Sequence, residues 1–311
     1  MPESDIYRHS PNSLATSLPS RSRLRAYIEG LLHPWRHVTG ALGGGAVAGI
    51  LKRAASRRLY EYLARRYPQA EWSTMNYGYV CSLGAPPPDG ISPADPERLA
   101  LQLYWRVATS GSRRLAGLDV LEIGSGRGGG AAFIARSLTP RRLLALDFSH
   151  AATALARQRY ASQPNLEYRQ GDAEALALAD ASFDVVLNVE SAHCYGSIPR
   201  FLTEVHRVLR PGGELLFADF VSRRNGALAR LERVVRSGPL RLVAWDDISG
   251  NVVRALDLDE ARKRDLIDRW ATPLFRSFAR GAYATEGTAM RDEFRAGRTM
   301  YVATVLRKDA P

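Results

Sequence analysis

The fold of this chain is decided by the stretch Val120-Leu121-Glu122-Ile123-Gly124-Ser125-Gly126-Arg127-Gly128-Gly129-Gly130. A short apolar run ends in an acidic residue, breaks into glycines and leads into a helix-like segment at residues 131–138. This order of strand, glycine turn and helix is typical of the nucleotide-binding turn that opens a doubly wound α/β domain. Glycine suits the turn because a Cβ would hinder both the tight bend and the approach of a ligand. By itself the glycine pattern is weak evidence of nucleotide binding, so other motifs in the chain have to support it.

Length and composition bound the class of protein. The chain has 311 residues, 45% of them hydrophobic, which suffices for one large domain or for a core with an appended subdomain. Cys81 and Cys194 are too few for a disulfide framework or a cysteine-based zinc site, so we expect a reducing, cytoplasmic setting. No apolar run approaches the ~18 residues of a membrane span.

The formal net charge of +11 at pH 7 comes mostly from arginine. A basic surface permits contact with nucleic acid, a membrane face, an acidic carrier protein or an anionic substrate. The arginines are scattered as pairs without long blocks of like charge or interleaved aromatic residues, a pattern typical of solvated helix faces. We therefore expect no nucleic-acid partner, whereas an acidic carrier protein and a homo-oligomer stay open.

Five segments follow one another along the chain. Residues 1–22, rich in serine, proline and arginine, are predicted to form a disordered tail. Apolar residues three to four apart predict a helical extension and cofactor lid at residues 23–95. The remaining segments are predicted to be a core domain, a helical insert that walls the acceptor pocket, and a final strand with the C-terminal tail, at residues 96–226, 227–298 and 299–311.

Strands and helices alternate through the core. The strand-like runs occupy residues 119–123, 142–146, 166–169, 183–188 and 214–218. The helix-like runs between them occupy residues 131–137, 151–162 and 201–209. Alternation at this spacing predicts a parallel sheet covered by helices on both faces.

Ligands of such sheets bind outside the carboxyl ends of the strands, so the residues after each strand are candidate site residues. Asp147 follows the second strand, about 20 residues beyond the glycines, where a carboxylate accepts the hydroxyls of a ribose. Asp172 follows the third strand, within Gly171-Asp172-Ala173-Glu174, and is placed to accept a proton from an adenine amino group. The fourth strand leads into Asn188-Val189-Glu190-Ser191-Ala192-His193, in the position for substrate chemistry.

Together these motifs resemble the class I S-adenosylmethionine-dependent methyltransferases. The runs Val-Leu-Glu-Ile-Gly-Ser-Gly, Leu-Asp, Gly-Asp-Ala-Glu, Ser-Phe-Asp-Val-Val and Arg-Val-Leu-Arg-Pro-Gly-Gly follow that family's motif order across residues 118–220. An NAD-binding sheet shares the glycine turn but lacks the last two runs, which disfavours a dehydrogenase. The resemblance implies a Rossmann-like, seven-stranded, mostly parallel doubly wound sheet, with S-adenosylmethionine as cofactor and S-adenosylhomocysteine as product.

A narrower likeness lies in residues 186–195 and 200–205, which resemble mycobacterial phthiotriol/phenolphthiotriol dimycocerosate O-methyltransferases. The chain is also similar to O-methyltransferases that tailor natural products on the same scaffold. The resemblance implies a small-molecule acceptor of polyketide, lipid or glycoside type. The chain departs from the family over residues 1–60 and in its insert, which puts the acceptor in doubt rather than the cofactor.

The resemblance also implies a set of cofactor-binding residues. For Glu122 two roles stay open: holding the glycine turn, or approaching the amino group of the methionine part. An aromatic and polar cluster at residues 72–79 is either a lid over the cofactor or an ordinary packing cluster. The full predicted set is Tyr77, Glu122, Gly124, Ser125, Gly126, Gly128, Asp147, Phe148, Asp172, Ala173, Glu174, Asn188, Val189 and Glu190.

His193 is the candidate general base, because imidazole titrates near neutrality and this histidine matches the family's base position. The competing interpretation is a structural histidine that bridges loop backbone groups. Asp219 is predicted to orient His193 or approach the substrate, with a capping or loop carboxylate as the alternative. No cluster of acidic, histidine and cysteine residues has convincing metal spacing, so we expect no metal.

Three functions are compatible with these residues. The first is methylation of a hydroxyl on a small molecule, and the second is N- or C-methylation on the same scaffold. The third is a non-catalytic protein that binds S-adenosylmethionine. His193 favours a hydroxyl, because a neutral amine needs less help from a base.

Overall fold

The computed structural model describes residues 46–81 and 88–310. The predicted tail at residues 1–22 and the part of the helical extension up to residue 45 lie outside the described residues, as do residues 82–87. The described part of the extension contains a helix, α1 (Ala46–Arg66), in agreement with the apolar spacing of that segment.

The strands are β1 (Asp119–Ile123), β2 (Arg142–Asp147), β3 (Leu166–Gln170), β4 (Phe183–Val189), β5 (Leu209–Ser222), β6 (Arg241–Asp247) and β7 (Thr299–Arg307). The helices after α1 are α2 (Arg98–Ala108), α3 (Gly129–Ser137), α4 (His150–Arg159), α5 (Ile198–Val208), α6 (Ala227–Arg236), α7 (Ser249–Trp270), α8 (Pro273–Ala282) and α9 (Ala289–Arg295). A single 3₁₀ turn, Ala192–Cys194, follows β4.

The seven strands form one sheet in the order β3-β2-β1-β4-β5-β7-β6. β7 is antiparallel to both of its neighbours, and the other pairs are parallel. All five residues of β1 are buried, as expected for a central parallel strand covered on both faces. The predicted seven-stranded, mostly parallel, doubly wound sheet is therefore confirmed.

Apolar side chains cover the sheet from both sides. One cluster joins the sheet to α2, α3, α7 and α9, and the other joins it to α5 and α6. The strand order changes direction between β1 and β4, because β1 pairs with β2 on one side and with β4 on the other. Such a switch point opens a crevice at the carboxyl ends of the strands.

The insert at residues 227–298, predicted to be helical, contains the helices α6 to α9 and also the strand β6 (Arg241–Asp247), which the sequence did not indicate. This strand lies at the edge of the sheet and pairs only with β7 among the described residues. Its side chains are exposed or half-buried, so the segment lacks the continuous apolar run that marks the inner strands.

Candidate active site

A cleft of about 950 Å³, part of it open to solvent, lies at the carboxyl ends of β1 to β4. Residues 73–76 and α1 line the side of the cleft that faces the strand ends. The predicted residues that line it are Gly124, Ser125, Gly126, Asp147, Phe148, Asp172, Ala173, Glu174, Val189 and Glu190.

The glycine turn brings backbone close to the cleft. Gly124 has φ +82°, and its amide donates to the carbonyl of Leu146 at 2.8 Å. A Cβ on Gly124 would collide with the side chain of Ser191, so both the backbone angle and the space require glycine. Gly126 has φ +54° and would meet only Met75. The turn is thus a bare backbone surface that a ligand can approach.

Asp147 ends β2 at the floor of this cleft. Its Oδ2 accepts from the amide of Gly126 at 2.8 Å, and its Oδ1 accepts from the amide of Ser149 at 2.8 Å. Burial raises the pKa of Asp147, and these backbone contacts counteract the rise. Each carboxylate oxygen has lone pairs beyond those used here, so the group retains acceptor capacity for hydroxyls.

Helix α1, part of the predicted helical extension and cofactor lid, meets the third strand end through side chains that the sequence did not identify. Arg53 of α1 forms an ion pair with Asp172. The guanidinium groups of Arg53 and Arg57 lie 4.9 and 4.8 Å from the centroid of the Phe148 ring, a cation–π arrangement. The carboxylate predicted to meet an adenine amino group is therefore held by an arginine in this structure.

Arg127, inside the glycine stretch, fixes the position of this cover. Its side chain is buried and donates to the carbonyls of Leu63, Tyr67 and Trp72. Its guanidinium also lies 4.8 Å from the Trp72 ring centroid. A buried guanidinium with three carbonyl partners ties the end of α1 and the following segment to the glycine turn.

Glu122 lies buried at the end of β1 and does not line the cleft. The Tyr104 hydroxyl lies beside its carboxylate, which has no other hydrogen-bond partner within the described residues. Burial raises its pKa to about 8, and the nearby Tyr104 hydroxyl opposes the rise. A neutral carboxyl suits this environment, because an uncompensated buried charge is costly.

Three more predicted residues lie beside the cleft rather than in its wall. The ring of Tyr77 packs against Phe220 and Phe294. Gly128 has φ +86° and precedes α3, where a Cβ would crowd Tyr168. The Nδ2 atom of Asn188 donates to Ile123, Ser191 and Tyr195. In this structure, these contacts support the turn and the loop after β4.

The side chains of His193 and Asp219 are in contact beside the apolar wall of the site. Nδ1 of His193 lies 3.0 Å from Oδ1 of Asp219, and the backbone amide of His193 donates to Oδ2 at 2.8 Å. The amide of Phe220 also donates to Oδ1. The two side chains are only 7% and 5% exposed, so water screens their interaction weakly.

The electrostatics of this pair favour the imidazolium form. Burial lowers the pKa of His193, but the neighbouring Cys194 thiol and the Asp219 carboxylate raise it more, and the net shift is well upward. His193 therefore becomes neutral only at a pH above the ordinary range for histidine.

A second cavity of about 560 Å³ lies next to the cleft. We call it the apolar pocket, because hydrocarbon and aromatic side chains supply most of its wall, while Glu190 and His193 add polar groups. The sequence did not identify its individual aliphatic and aromatic residues. They come from α1, from residues 72–75 and from α8, and are Leu59, Leu63, Trp72, Met75, Phe275, Phe278, Ala279, Ala282 and Tyr283.

Neither a cluster of metal-ligating residues nor a membrane-spanning helix occurs in the part of the chain that is described. There, no group of three or more histidine, cysteine, aspartate or glutamate residues could hold a metal ion. No helix among the same residues is long and apolar enough to cross a bilayer.

Comparison with known proteins places these features in a family. Residues 121–217 match the methyltransferase domain family. The chain is 38% identical over 215 residues to the phthiotriol/phenolphthiotriol dimycocerosates methyltransferase of Mycobacterium tuberculosis, covering 69% of this chain and 78% of that protein. It is 36% identical over 227 residues to the fatty-acid O-methyltransferase of Mycolicibacterium smegmatis, covering 72% and 80%.

Solved structures agree on the fold. The [4+2]-cyclase SpnF has a TM-score of 0.62 at 20% identity, with 83% of this chain and 96% of that chain covered. The geranyl diphosphate methyltransferase solved with GPP and sinefungin has a TM-score of 0.61 at 14% identity, with 83% and 99% covered.

The cleft fits the cofactor of this family on its own features. The bare glycine turn accepts close backbone approach, and the Asp147 carboxylate retains acceptor capacity beside it. S-Adenosylmethionine is therefore the cofactor, and the chain belongs to the class I S-adenosylmethionine-dependent methyltransferases.

Proposed function

We propose that this protein transfers a methyl group from S-adenosylmethionine to a hydroxyl of an apolar small molecule. His193 acts as general base, and Asp219 positions it. The observation that carries the proposal is the contact between these two side chains at the wall of the apolar pocket, next to the cleft. The acceptor class is a polyketide, a lipid or a glycoside with an apolar part.

The cofactor supplies an electrophilic methyl group on a positively charged sulfur, which keeps the electron pair of the broken C–S bond. The protein has to align the hydroxyl and accept its proton. Asp219 holds Nδ1 of His193, so Nε2 is the ring nitrogen that takes the proton, and the carboxylate stabilises the imidazolium that results. Alignment contributes ~7–11 kcal/mol in well-oriented systems, and a positioned base adds ~10²–10⁴-fold, so alignment carries the larger share.

The lining of the apolar pocket supports the acceptor class. The wall of this cavity includes phenylalanines of α8 and leucines of α1, and a hydrocarbon chain gains there by leaving water. They are Phe275, Phe278, Leu59 and Leu63. The names of two relatives refer to dimycocerosates and to a fatty acid. Both observations favour a lipid-like acceptor over a small polar one.

N-Methylation is a second candidate, because the pKa of His193 is raised. An imidazolium is a poor proton acceptor near neutral pH, whereas a neutral amine attacks the methyl group without prior loss of a proton. C-methylation and a non-catalytic role remain formal alternatives on the same scaffold.

An acidic carrier protein and a homo-oligomer both stay predictions. An acidic carrier protein would bind the arginine-rich surface, and such binding would weaken as salt is raised. A homo-oligomer is tested by sedimentation of the purified protein.

The proposal is tested by incubation with labelled S-adenosylmethionine and matched long-chain alcohols, amines and carboxylic acids. We expect label in the methyl ether formed from the alcohol, a product that is stable to mild hydrolysis. Label only in amine or acid products would contradict methylation of a hydroxyl. Binding of the cofactor without any labelled product, across these acceptors and an extract of the source organism, would favour the non-catalytic role.

A further inference from the structure

Three of the described residues line both the cleft and the apolar pocket, namely Tyr60, Met75 and Glu190. A methyl group that passes from the cofactor to an acceptor must cross the boundary between these cavities, and reacting atoms have to lie ~3–3.5 Å apart to react. The sulfur that carries the methyl group therefore belongs near this boundary. Glu190 is the one carboxylate among the three.

We propose that the Glu190 carboxylate is the counter-ion of the cofactor's positively charged sulfur. It gives the protein a preference for S-adenosylmethionine over S-adenosylhomocysteine, whose sulfur is neutral. The inference rests on the identity of the cofactor and, from the proposed function, on the place of the acceptor in the apolar pocket. It is independent of which acceptor atom is methylated and of the role of His193.

The backbone of Glu190 is held in an unusual conformation. Its φ is +49°, a left-handed angle that residues other than glycine rarely adopt. Its amide donates to the carbonyl of Ala218 at 2.7 Å, which anchors the turn to β5. Left-handed residues that neighbouring structure enforces in this way cluster at functional sites.

The carboxylate itself is oriented by groups from two other segments. Oε2 accepts from the amide of Tyr77 at 3.0 Å and from the hydroxyl of Tyr301 at 2.7 Å. No hydrogen bond to Oε1 comes from the described residues. One oxygen is thus fixed by the protein, and the other retains capacity for a ligand.

The other carboxylates that line the cleft have other hydrogen-bond and ion-pair partners. Asp172 is paired with Arg53, Asp147 accepts two backbone amides, and Glu174 accepts the amide of Gly196 at 2.7 Å. Within the described residues, Glu190 has no ion pair, so its charge is not cancelled by an arginine or lysine contact.

Several titratable groups surround Glu190 and set its charge. Burial and, to a smaller extent, the Asp219 carboxylate raise its pKa, whereas the hydrogen bonds from Tyr77 and Tyr301 and the nearby His193 lower it. The net pKa is about 7. The carboxylate is therefore mostly charged only above about pH 7. The groups that interact with it electrostatically are Tyr60 from α1, Tyr77, Tyr104 from α2, His193, Asp219 from β5, Lys263 from α7 and Tyr301 from β7.

The test compares ligands that differ in charge at one position. Titration calorimetry gives the dissociation constants of S-adenosylmethionine, S-adenosylhomocysteine and sinefungin, an analogue with an amine near the sulfur position, for the native protein and for Glu190→Gln. The substituted amide oxygen still accepts from Tyr77 and Tyr301, so the turn should persist. We expect Glu190→Gln to raise the dissociation constants of both cationic ligands ~tenfold relative to that of S-adenosylhomocysteine. A lost attraction between two charges at a partly buried site is of this size.

The pH dependence gives a second measure of the same effect. A deprotonated Glu190 attracts a cation, so the preference for the cationic ligands should grow as pH rises from 6 to 8 in the native protein. In Glu190→Gln this growth should be absent, after the titration of the ligands' own amino groups, common to both proteins, is subtracted.

Two further variants separate charge from shape. Glu174→Gln removes a carboxylate that lines the cleft but not the apolar pocket, and it should change the affinities of all three ligands by one factor. Glu190→Asp keeps the charge and should keep most of the preference. The inference is overturned if Glu190→Gln alters all three affinities equally, or if Glu190→Asp loses the preference as fully as Glu190→Gln does.

Discussion

Nδ1 of His193 lies 3.0 Å from Oδ1 of Asp219, although the two residues are 26 positions apart in the chain. The turn after β4 supplies the imidazole, and β5 supplies the carboxylate beside it. The same carboxylate also accepts the backbone amide of His193, which fixes the ring and its backbone together. In the proposed mechanism, this contact preorganises His193 as a proton acceptor at the edge of the apolar pocket.

His193→Ala should lower turnover at least tenfold and leave the affinity for S-adenosylmethionine unchanged, because His193 does not line the cleft. Residual activity is expected, since alignment of the acceptor persists. Steady-state kinetics and calorimetry measure the two quantities. His206→Ala, on α5 and outside both cavities, is the matched control and should behave like the native protein. Native turnover in His193→Ala would remove this residue from the mechanism.

The pH profile of kcat should rise with pH, because only neutral imidazole accepts a proton and the pKa of His193 is raised. The rising limb should lie above the ordinary histidine value of ~6.5. Asp219→Asn removes the negative charge, so the limb should move to lower pH while the plateau falls ~10–100-fold. A limb at the same pH in both proteins would show that Asp219 does not act through His193.

Ala282→Phe should fill part of the apolar pocket, since Ala282 lies in its wall at the end of α8. We expect the KM for a long-chain acceptor to rise ~tenfold. This change corresponds to the free energy gained by burying one or two methylene groups. The affinity for S-adenosylmethionine should not change. Gly281→Ala is the control, because a Cβ there meets nothing within 4 Å. An unchanged KM in Ala282→Phe would place the acceptor elsewhere.

Gly124→Ala should weaken cofactor binding at least tenfold and destabilise the fold. The added Cβ would displace Ser191, and the backbone angle of φ +82° adds ~1–2 kcal/mol for a residue other than glycine. Gly117→Ala separates the two effects, because Gly117 has φ +75° with nothing within 4 Å. Thermal unfolding should show a smaller loss for Gly117→Ala, with normal cofactor binding. Equal effects of the two variants would contradict the close packing of the turn.

Features close to a strand end were predictable from the sequence. The glycine turn follows β1 and Asp147 ends β2. Locating these two inner strands in the sequence therefore also locates the residues at the cleft. His193 and Asp219 come together for the same reason, because β4 and β5 are parallel neighbours. The strand ends alone therefore locate most of the cleft.

Features that depend on packing between distant segments were not predictable. Arg53 meets Asp172 across 119 positions, and nothing in the spacing of α1 indicates which of its arginines faces the cleft. Glu190 was predicted to be a cofactor residue, but its place at the boundary of the two cavities was not predicted. That boundary brings Glu190 together with Tyr60 of α1 and Met75, which are distant from it in the chain. β6 escaped prediction since an exposed edge strand lacks the apolar run of a buried one.

The most direct test is calorimetric titration of the purified protein with S-adenosylhomocysteine, alongside Asp147→Ala. Asp147 lies at the floor of the cleft and retains acceptor capacity for ribose hydroxyls. We predict one molecule bound per chain, with affinity at least tenfold weaker in Asp147→Ala, as expected for loss of hydrogen bonds to a charged group. No heat of binding in the native protein, or identical affinity in the variant, would contradict a cofactor site at the carboxyl ends of β1 to β4.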